Sequence, residues 1–385
     1  MFNRDKKNFF SNWWFTIDRR ILSIFLLLNL FGLLAVFSAG MSVADDINAS
    51  TEYFFIRKQI VFTVFSIIIA IVMSFFDEKI AKFSIPFYFL VSLILLTLIP
   101  FWGYSSKGSK RWIYIFGFSL QPTEFVKSAL LMVNAIFLAI SDRDKKNKKL
   151  IFIGITFSVF VIYLLYKQPD IGNCFLLLFA VFTQAFFLDS FTRKLLIKCF
   201  VLFVILLLIT YFSFPHVYLR INDFMVSFSN VEKAQYQVKS SIAGYRNSGF
   251  LGRGFMEGEV KRHIPDAHTD FILPVISEEF GFCVIFMILV FYLYLFCRII
   301  LKALTYSDKT IVFILIGLAF LFIFQVIINT GVSLNLLPTK GITIPFLSYG
   351  GSSLVSNAIN FGYIFIFTKS NVLRKKIVEN EVITQ

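Results

Sequence analysis

Residues 268–297 read HTDFILPVISEEFGFCVIFMILVFYLYLFC. From Phe271 to Cys297 the only charged side chains are Glu278 and Glu279. A run of this length exceeds the ~20 apolar residues that carry an α-helix across the hydrocarbon of a bilayer. The stretch therefore predicts a membrane-spanning helix that begins just after Asp270. Further windows of the same kind lie near 21–42, 59–76, 83–101, 123–141, 150–166, 171–188, 195–214, 310–330 and 349–368. Together they predict an all-α integral membrane protein of about ten transmembrane helices, a single polytopic domain over 1–385.

Composition agrees. The 385 residues are 57% hydrophobic, include 52 Phe and are only 16% charged. A soluble domain of this length needs far more polar surface, because large apolar patches drive association. The formal charge of +14 does not indicate nucleic acid, since the Lys and Arg residues fall in short clusters between apolar runs. A nucleic-acid footprint gathers instead on one water-facing patch or helix. Cys174, Cys199, Cys283 and Cys297 sit inside apolar stretches without CxxC spacing, which reads as packing rather than disulfide or metal chemistry. Arg19 and Arg20 ahead of a run ending SAGMSVADD imitate a signal peptide. The run is longer than the roughly 7–15 apolar residues of such a signal, so an uncleaved first span is expected.

Basic loops stay on the cytoplasmic side. With the N-terminus inside, residues 1–20, the loops around Lys79, Lys145, Arg193 and Lys302, and the tail 369–385 are cytoplasmic, and hold about 22 of the 37 Lys and Arg residues. Both termini are then cytoplasmic. The segment 215–270 becomes one long extracytoplasmic loop between spans 7 and 8, and long loops escape the charge rule. The segment 331–348 mixes apolar residues with Gly and Pro, and irregular backbone at membrane depth survives only inside protein or along a cavity. It is expected to be a re-entrant loop.

Four clusters fall on the outer side of this topology: GSKRWIYIFGFSLQPTEFVK (108–127), KQPDIGN (167–173), HIPDAHTDFILPVISEEFGF (263–282) and NLLPTKGITIPFLSYGGSSL (335–354). Polar residues scattered by chance would divide between both faces, so one shared cavity is expected. Asp270 reads either as a helix cap or as a carboxylate facing that cavity; Asp266 and Thr269 already offer caps. Glu278 and Glu279 lie about 12 Å deeper along the helix, and a cation such as Lys127 is a candidate partner for them. Glu124 and Lys127, three residues apart, read as a local ion pair or as a polar site buried in the membrane. Arg111-Trp112 reads equally as an interfacial anchor, and Asp170 as a turn residue. Lys340, before Gly341, is a point charge suited to phosphate. Gly350 and Gly351 read as packing residues at the head of the last span. With only His216, His263 and His268 in the chain, a His-built metal site is not expected, while a carboxylate-held divalent ion stays open.

In combination, PDAHTDFI, GSKRWI, QPTEFVK and LPTKGITIPFLSYGGSSL resemble the SEDS family, the shape, elongation, division and sporulation proteins that polymerise bacterial peptidoglycan. The likeness covers nearly the whole chain. The PTKG around Lys340 is similar to the division branch, whereas elongation members more often carry Val-Thr-Gly there. The resemblance implies a glycosyltransferase that takes lipid II at the outer face of the cytoplasmic membrane and extends a nascent glycan strand at the division septum. It makes Asp270, the Asp of the HTDF motif, the catalytic base. Trp112 matches the Trp of RWI, and Glu124 and Lys127 match the QPxEFxK motif. The substrate-binding set becomes Arg111, Trp112, Glu124, Lys127, Asp170, His268, Lys340 and Ser348. A class B penicillin-binding protein supplying the transpeptidase, and other divisome membrane proteins, are the implied partners. No cofactor is required by this reading, with Mg or Mn left open.

The chemistry fits the residues. A sugar hydroxyl attacking an anomeric carbon needs a base within hydrogen-bond reach, and the departing lipid diphosphate needs cations; Lys127, Arg111 and Lys340 are the candidates. A single displacement inverts the anomeric centre. The competing readings are a lipid II flippase or transporter, which shares broken helices and buried charges, and a non-catalytic scaffold for the penicillin-binding protein. The chain also departs from the family pattern. Leu273-Pro274 replaces Phe-Ala and predicts a kink one turn beyond Asp270, Arg253 stands where a small residue is usual, and Thr123 replaces Ser.

Overall fold

The computed structural model describes residues 9–44, 53–106, 109–115, 117–144, 149–187, 215–229, 236–339 and 341–369, with isolated positions at 201, 205 and 212. In chain order the first elements are α1 (Phe9–Thr16), α2 (Arg19–Ala44), α3 (Phe54–Ser74), α4 (Glu78–Trp102), β1 (Tyr104–Ser106), β2 (Ser109–Ile115) and β3 (Phe118–Leu120). Then follow α5 (Pro122–Arg143), α6 (Lys149–Lys167), α7 (Ile171–Phe186), α8 (Pro215–Ser229) and α9 (Tyr236–Asn247). A 3₁₀ turn at Val260–His263 leads into α10 (Ile272–Ala303), α11 (Lys309–Ser333) and α12 (Gly351–Thr368).

Among the described residues, seven helices are long and apolar enough to cross a membrane: α2 to α6, α10 and α11. The windows at 171–188 and 349–368 appear as the shorter α7 and the buried α12. The window at 195–214 lies outside the described residues apart from three isolated positions. The protein is a multi-pass membrane protein, mostly helical, as the apolar windows predict.

Local chemistry sets several boundaries. Pro122 opens α5, where its missing N–H and fixed φ cost nothing. Asp308 caps α11 by accepting the Thr310 N–H at 2.9 Å. The α11 and α12 helices are enclosed by neighbours, whereas α3, α4, α6 and α10 turn Phe65, Phe83, Phe87, Phe152 and Phe286 outward. An apolar exterior is what a lipid solvent selects.

Two ends of the bundle differ. At one, basic side chains tie neighbouring helix ends together: Lys82 to Asp308 at 2.6 Å, Arg298 to Asp18 at 2.8 Å and Lys309 to Asp142 at 3.5 Å. Lys369 donates to the Phe76 carbonyl, and Trp13 of α1 donates to Ser74 at the foot of α3. The other end carries the polar clusters, a small antiparallel sheet in the order β1-β2-β3, and α8 and α9. The sheet is a feature the apolar windows do not foretell.

The segment after α11, expected to be re-entrant, is an irregular loop buried inside the protein. Ile342, Ile344, Phe346, Leu347 and Ser348 are buried although the backbone is irregular. Its polar groups are met by protein: Tyr292 donates its hydroxyl to the Pro345 carbonyl, and Ser348 accepts the Ile344 N–H. Phe346 has φ +68 and packs its ring edge-to-face 5.1 Å from Phe25 and 5.0 Å from Phe361. The loop passes so close to α2 that a Cβ at Gly32 would lie 2.1 Å from the Phe346 carbonyl oxygen.

The expected kink at Pro274 is corrected. Pro274 occupies the third position of α10, where no intrahelical N–H is required. The break falls at Gly281, with φ 83 and ψ 173, a backbone state that glycine adopts without steric cost. Residues 249–254 supply the bonds the helix gives up. Phe282 and Cys283 donate to Gly249 and Phe250 at 3.2 and 3.3 Å, and Arg253 and Gly254 donate to Glu278 and Glu279 at 2.9 and 3.0 Å. A Cβ on Gly281 would lie 2.4 Å from Gly252 N.

Candidate active site

Asp270 sits half-buried immediately ahead of α10, whose cap position is Phe271. Three consecutive carbonyls fix this turn, two to the loop after α11 and one to α11 itself. The His268 carbonyl accepts the Tyr349 N–H at 2.8 Å, Thr269 accepts the Ser348 hydroxyl at 2.6 Å, and Asp270 accepts the Asn329 amide at 2.9 Å. Asn329 holds the Ile342 carbonyl with the same nitrogen at 2.8 Å. The His268 ring is buried 4.5 Å from Phe55 and 5.5 Å from Tyr349. Against the Asp270 carboxylate lies Gly341, where a Cβ would come 2.9 Å from Oδ2. Absence of a side chain at 341 keeps the space beside the carboxylate clear. Lys340, next along the chain, lies outside the described residues.

A second group assembles from three motifs. Lys127, 1% exposed, donates to Glu124 at 2.8 Å and to Asn173 Oδ1 at 3.0 Å. Asn173 donates onward to Asp170 Oδ2 at 2.8 Å. Asp170 also faces Arg111 at 3.8 Å, and Arg111 grips the Gln168 and Pro169 carbonyls at 3.1 and 2.5 Å. Glu124, Lys127, Asn173, Asp170 and Arg111 thus form one chain of polar contacts. Because each buried charge has a neighbour of opposite sign or a hydrogen-bonding amide, the desolvation cost is met within the chain. Arg111 is its solvent-facing end, with Trp112 half-buried beside it on β2.

The head of α12 joins the two groups. Ser352 accepts the Gln121 N–H at 2.9 Å and donates to the Ser119 carbonyl, while Ser356 donates to the Glu124 carbonyl at 2.7 Å. Ser353 accepts from Thr343 at 2.9 Å, and Asn357 donates back to the Ser353 carbonyl at 2.9 Å. The packing reading of Gly351 holds, since a Cβ there would lie 2.4 Å from the Phe62 ring. All four sequence clusters therefore converge at one end of the bundle. Asn173, Ser352 and Ser353 lie within the quoted clusters without being singled out as site residues, while Asn329, Ser356 and Asn357 fall outside the clusters altogether. Asn329 lies inside an apolar window, where an amide is costly unless it has work to do, and that signal was available.

The suggested pairing of Glu278 and Glu279 with Lys127 is overturned. Glu279 meets Lys261 at 2.6 Å, both groups are buried, and Ser38 of α2 donates to the same carboxylate oxygen. Lys261 also donates to Ser38 at 2.9 Å and to the Met256 carbonyl at 3.0 Å. Glu278 accepts the backbone N–H groups of Glu259, Val260 and Lys261 at 3.0 to 3.3 Å. The break at Gly281 and the folded-back loop bring these local partners closer than any cation on α5.

Among the described residues no three His, Cys, Asp or Glu side chains gather in a way that could hold a metal ion. Cys174, Cys283 and Cys297 are free thiols, and Cys199 lies outside the described residues.

The sequence profile of the cell cycle proteins that include FtsW, RodA and SpoVE matches residues 18–372. The chain belongs to this family. The match begins at Asp18, at the foot of α2, and takes in every candidate residue above. A probable peptidoglycan glycosyltransferase FtsW of Caulobacter vibrioides is 31% identical over 363 residues, covering 94% of this chain and 91% of the relative. One of Trichlorobacter lovleyi, of the same name, is 32% identical over 364 residues, covering 90% and 92%. Among solved structures, a chain from work on the structural coordination of polymerization and crosslinking by a peptidoglycan synthase complex superposes with a TM-score of 0.74. It is 23% identical and covers 92% of this chain and 98% of its own. The rod shape determining protein RodA of Thermus thermophilus gives a TM-score of 0.66 at 24% identity, covering 92% and 97%. The FtsW, RodA and SpoVE fold is thus shared over almost the full length.

Proposed function

We propose that this chain is a peptidoglycan glycosyltransferase of the division type, polymerising lipid II at the outer face of the bacterial cytoplasmic membrane during septal synthesis. The observation that carries the reading is Asp270, a half-buried carboxylate held by three anchored carbonyls beside a residue with no side chain. Family membership and the names of its FtsW relatives supply the substrate class. The end bearing Asp270 faces outward, and the basic end, with residues 1–20 and the tail 369–385, faces the cytoplasm, in keeping with the charge rule. The segment 215–270 is then the large outer loop.

The reaction balances without a covalent intermediate. Asp270 takes the proton of the attacking sugar hydroxyl; the oxygen forms a bond to the anomeric carbon on the opposite side from the lipid diphosphate. The bond from the anomeric carbon to the diphosphate oxygen breaks as the new one forms, and the diphosphate leaves with the electron pair, so the configuration inverts. Arg111, at the solvent-facing end of the polar chain, is a cation for the departing charge; Lys340, outside the described residues, is the second on the sequence motif alone. The buried Lys127, with Glu124, Asn173 and Asp170, holds the wall that presents Arg111. His268, Trp112 and Ser348 complete the substrate wall. A divalent ion such as Mg or Mn would find only single carboxylates, not a cluster, among the described residues, and would supply positive charge toward the departing diphosphate.

A solved structural neighbour comes from a complex that couples polymerization with crosslinking, which supports a class B penicillin-binding protein as partner and other divisome membrane proteins beyond it. The test uses the reconstituted chain with that partner and purified lipid II. Wild type is expected to make glycan polymer, and Asp270→Asn to insert and unfold like wild type while losing at least ~100-fold in rate. Equal product from both would remove Asp270 from the chemistry. Lipid flipping without polymer from wild type would replace the transferase by a flippase.

A further inference from the structure

The face of α3 turned into the bundle is built from Gln59, Thr63, Ser66, Ala70 and Ser74, all essentially inaccessible. Spacings of four and three residues place Gln59, Thr63 and Ser66 in one line about 10 Å long. Among the described residues, none of their four polar atoms meets a protein partner: both ends of the Gln59 amide and the hydroxyls of Thr63 and Ser66. Thr123 and Thr330 also hold single unpartnered hydroxyls, but elsewhere in the spans several buried hydroxyls bond locally. Ser92, Ser158 and Thr368 fold back on the carbonyls of Tyr88, Gly154 and Ile364 at 2.7 to 2.8 Å. That local bond is the default for a helical Ser or Thr in an apolar setting. Thr63 and Ser66 make no such bond, and with Gln59 they leave four buried polar atoms together on one helix face.

The line starts beneath the candidate active site. One turn above Gln59 is Phe55, whose ring touches His268 at 4.5 Å and Tyr349 at 5.3 Å. One turn below is Phe62, against which Gly351 of α12 is fitted. We infer that Gln59, Thr63 and Ser66 form a buried binding site for neutral, hydroxyl-bearing guests, reached from the Asp270 end. An amide and two hydroxyls both donate and accept. With no charge among them they suit an uncharged guest better than an anion. Water molecules and sugar hydroxyls share this chemistry. A polar group buried in such a place with no partner carries the full cost of its desolvation, whereas one bonded to ordered water does not.

The variants Gln59→Met, Thr63→Val and Ser66→Ala keep approximate shape and remove the polar atoms. If water fills the site, each lowers the Tm of the purified full chain in detergent with no substrate present. If a sugar hydroxyl fills it, Tm without substrate is unchanged and lipid II binds about threefold or more weakly, the worth of one hydrogen bond. A rise in Tm, or no change in either readout, overturns the site, because truly unpartnered groups stabilise the fold when removed. Both readouts are independent of turnover, so failure of wild type to polymerise would count against the proposed activity and leave this result standing.

Discussion

Asp270 and the pair Glu278 and Glu279 stand within ten residues of one another on the same strand of sequence, and the fold treats them oppositely. The two glutamates are closed in: Lys261 and Ser38 take one, three backbone N–H groups take the other. Asp270 is left half-exposed, and what the protein fixes is the backbone on either side of it. One carboxylate group holds a loop in place, and the other is held in place with its space kept clear. Charge in a membrane span is therefore not in itself a mark of chemistry; accessibility and the identity of the partners separate the two uses.

The comparison is broken most sharply by exchanging losses. Asp270→Asn should abolish polymerisation and leave the fold, as above. Lys261→Met should do the reverse: it strands the Glu279 charge in the interior, at a cost of about 3–5 kcal/mol. The expected result is a large fall in Tm and in the yield of inserted protein. Glu279→Gln combined with Lys261→Met removes both charges and should recover much of that loss. Detergent unfolding of the two single variants and the double variant checks this. A stable but inactive Lys261→Met would move Lys261 into the reaction.

A smaller effect is expected at Gly341. Its backbone is not in the left-handed region, so Ala meets no conformational penalty there; the cost is the contact, 2.9 Å from Asp270 Oδ2. Gly341→Ala should lower kcat about tenfold by displacing the carboxylate or crowding the substrate, with Tm nearly unchanged. Full activity in this variant would mean that substrate approaches Asp270 from another side.

Much of this arrangement is legible in sequence because lipid imposes a simple code. Runs such as 310–330 reveal spans by length, and GSKRW, QPD, HTD and PTKG stand out against them as polar clusters. The convergence of Arg111, Asp170, Glu124 and Lys127 followed from assigning their loops to one side. What escaped notice depends on contacts between distant elements. Lys261 lies in a polar loop, where a lysine attracts no attention, and its burial follows from the break at Gly281. Asn329 lies among residues that read only as apolar span, and Asn173, at the end of the KQPDIGN cluster, is also the start of an apolar window. The sheet formed by Tyr104–Leu120 is short and lies at the rim, where neither a helical nor a long alternating pattern develops. Pro274 misled because a proline near a helix start looks the same in sequence as one in a helix interior, and only the first residue of α10 tells them apart.

The smallest expected effect tests the opposite end of the bundle. Burial of Asp308 works to raise its carboxyl pKa, but the hydrogen bonds from Lys82 and the Thr310 N–H outweigh it and hold the value below the ordinary one. A group whose folded pKa is depressed stabilises the protein at pH values above its unfolded pKa, and loses that contribution as pH falls through the folded value. The unfolded value is ~3.9. Asn caps a helix about as well as Asp, so Asp308→Asn removes the ion pair and keeps the cap. Wild type should exceed Asp308→Asn in Tm by a small margin at neutral pH, and the margin should begin to shrink as the pH falls below ~4 and vanish below the depressed folded value. Taking the difference between the two proteins cancels the titration of Asp18 and Asp142 at the same end. A margin that persisted in acid would assign the stabilisation to shape rather than charge, and would separate this end from the buried Lys261–Glu279 pair, where opposite charges meet within a set of hydrogen bonds.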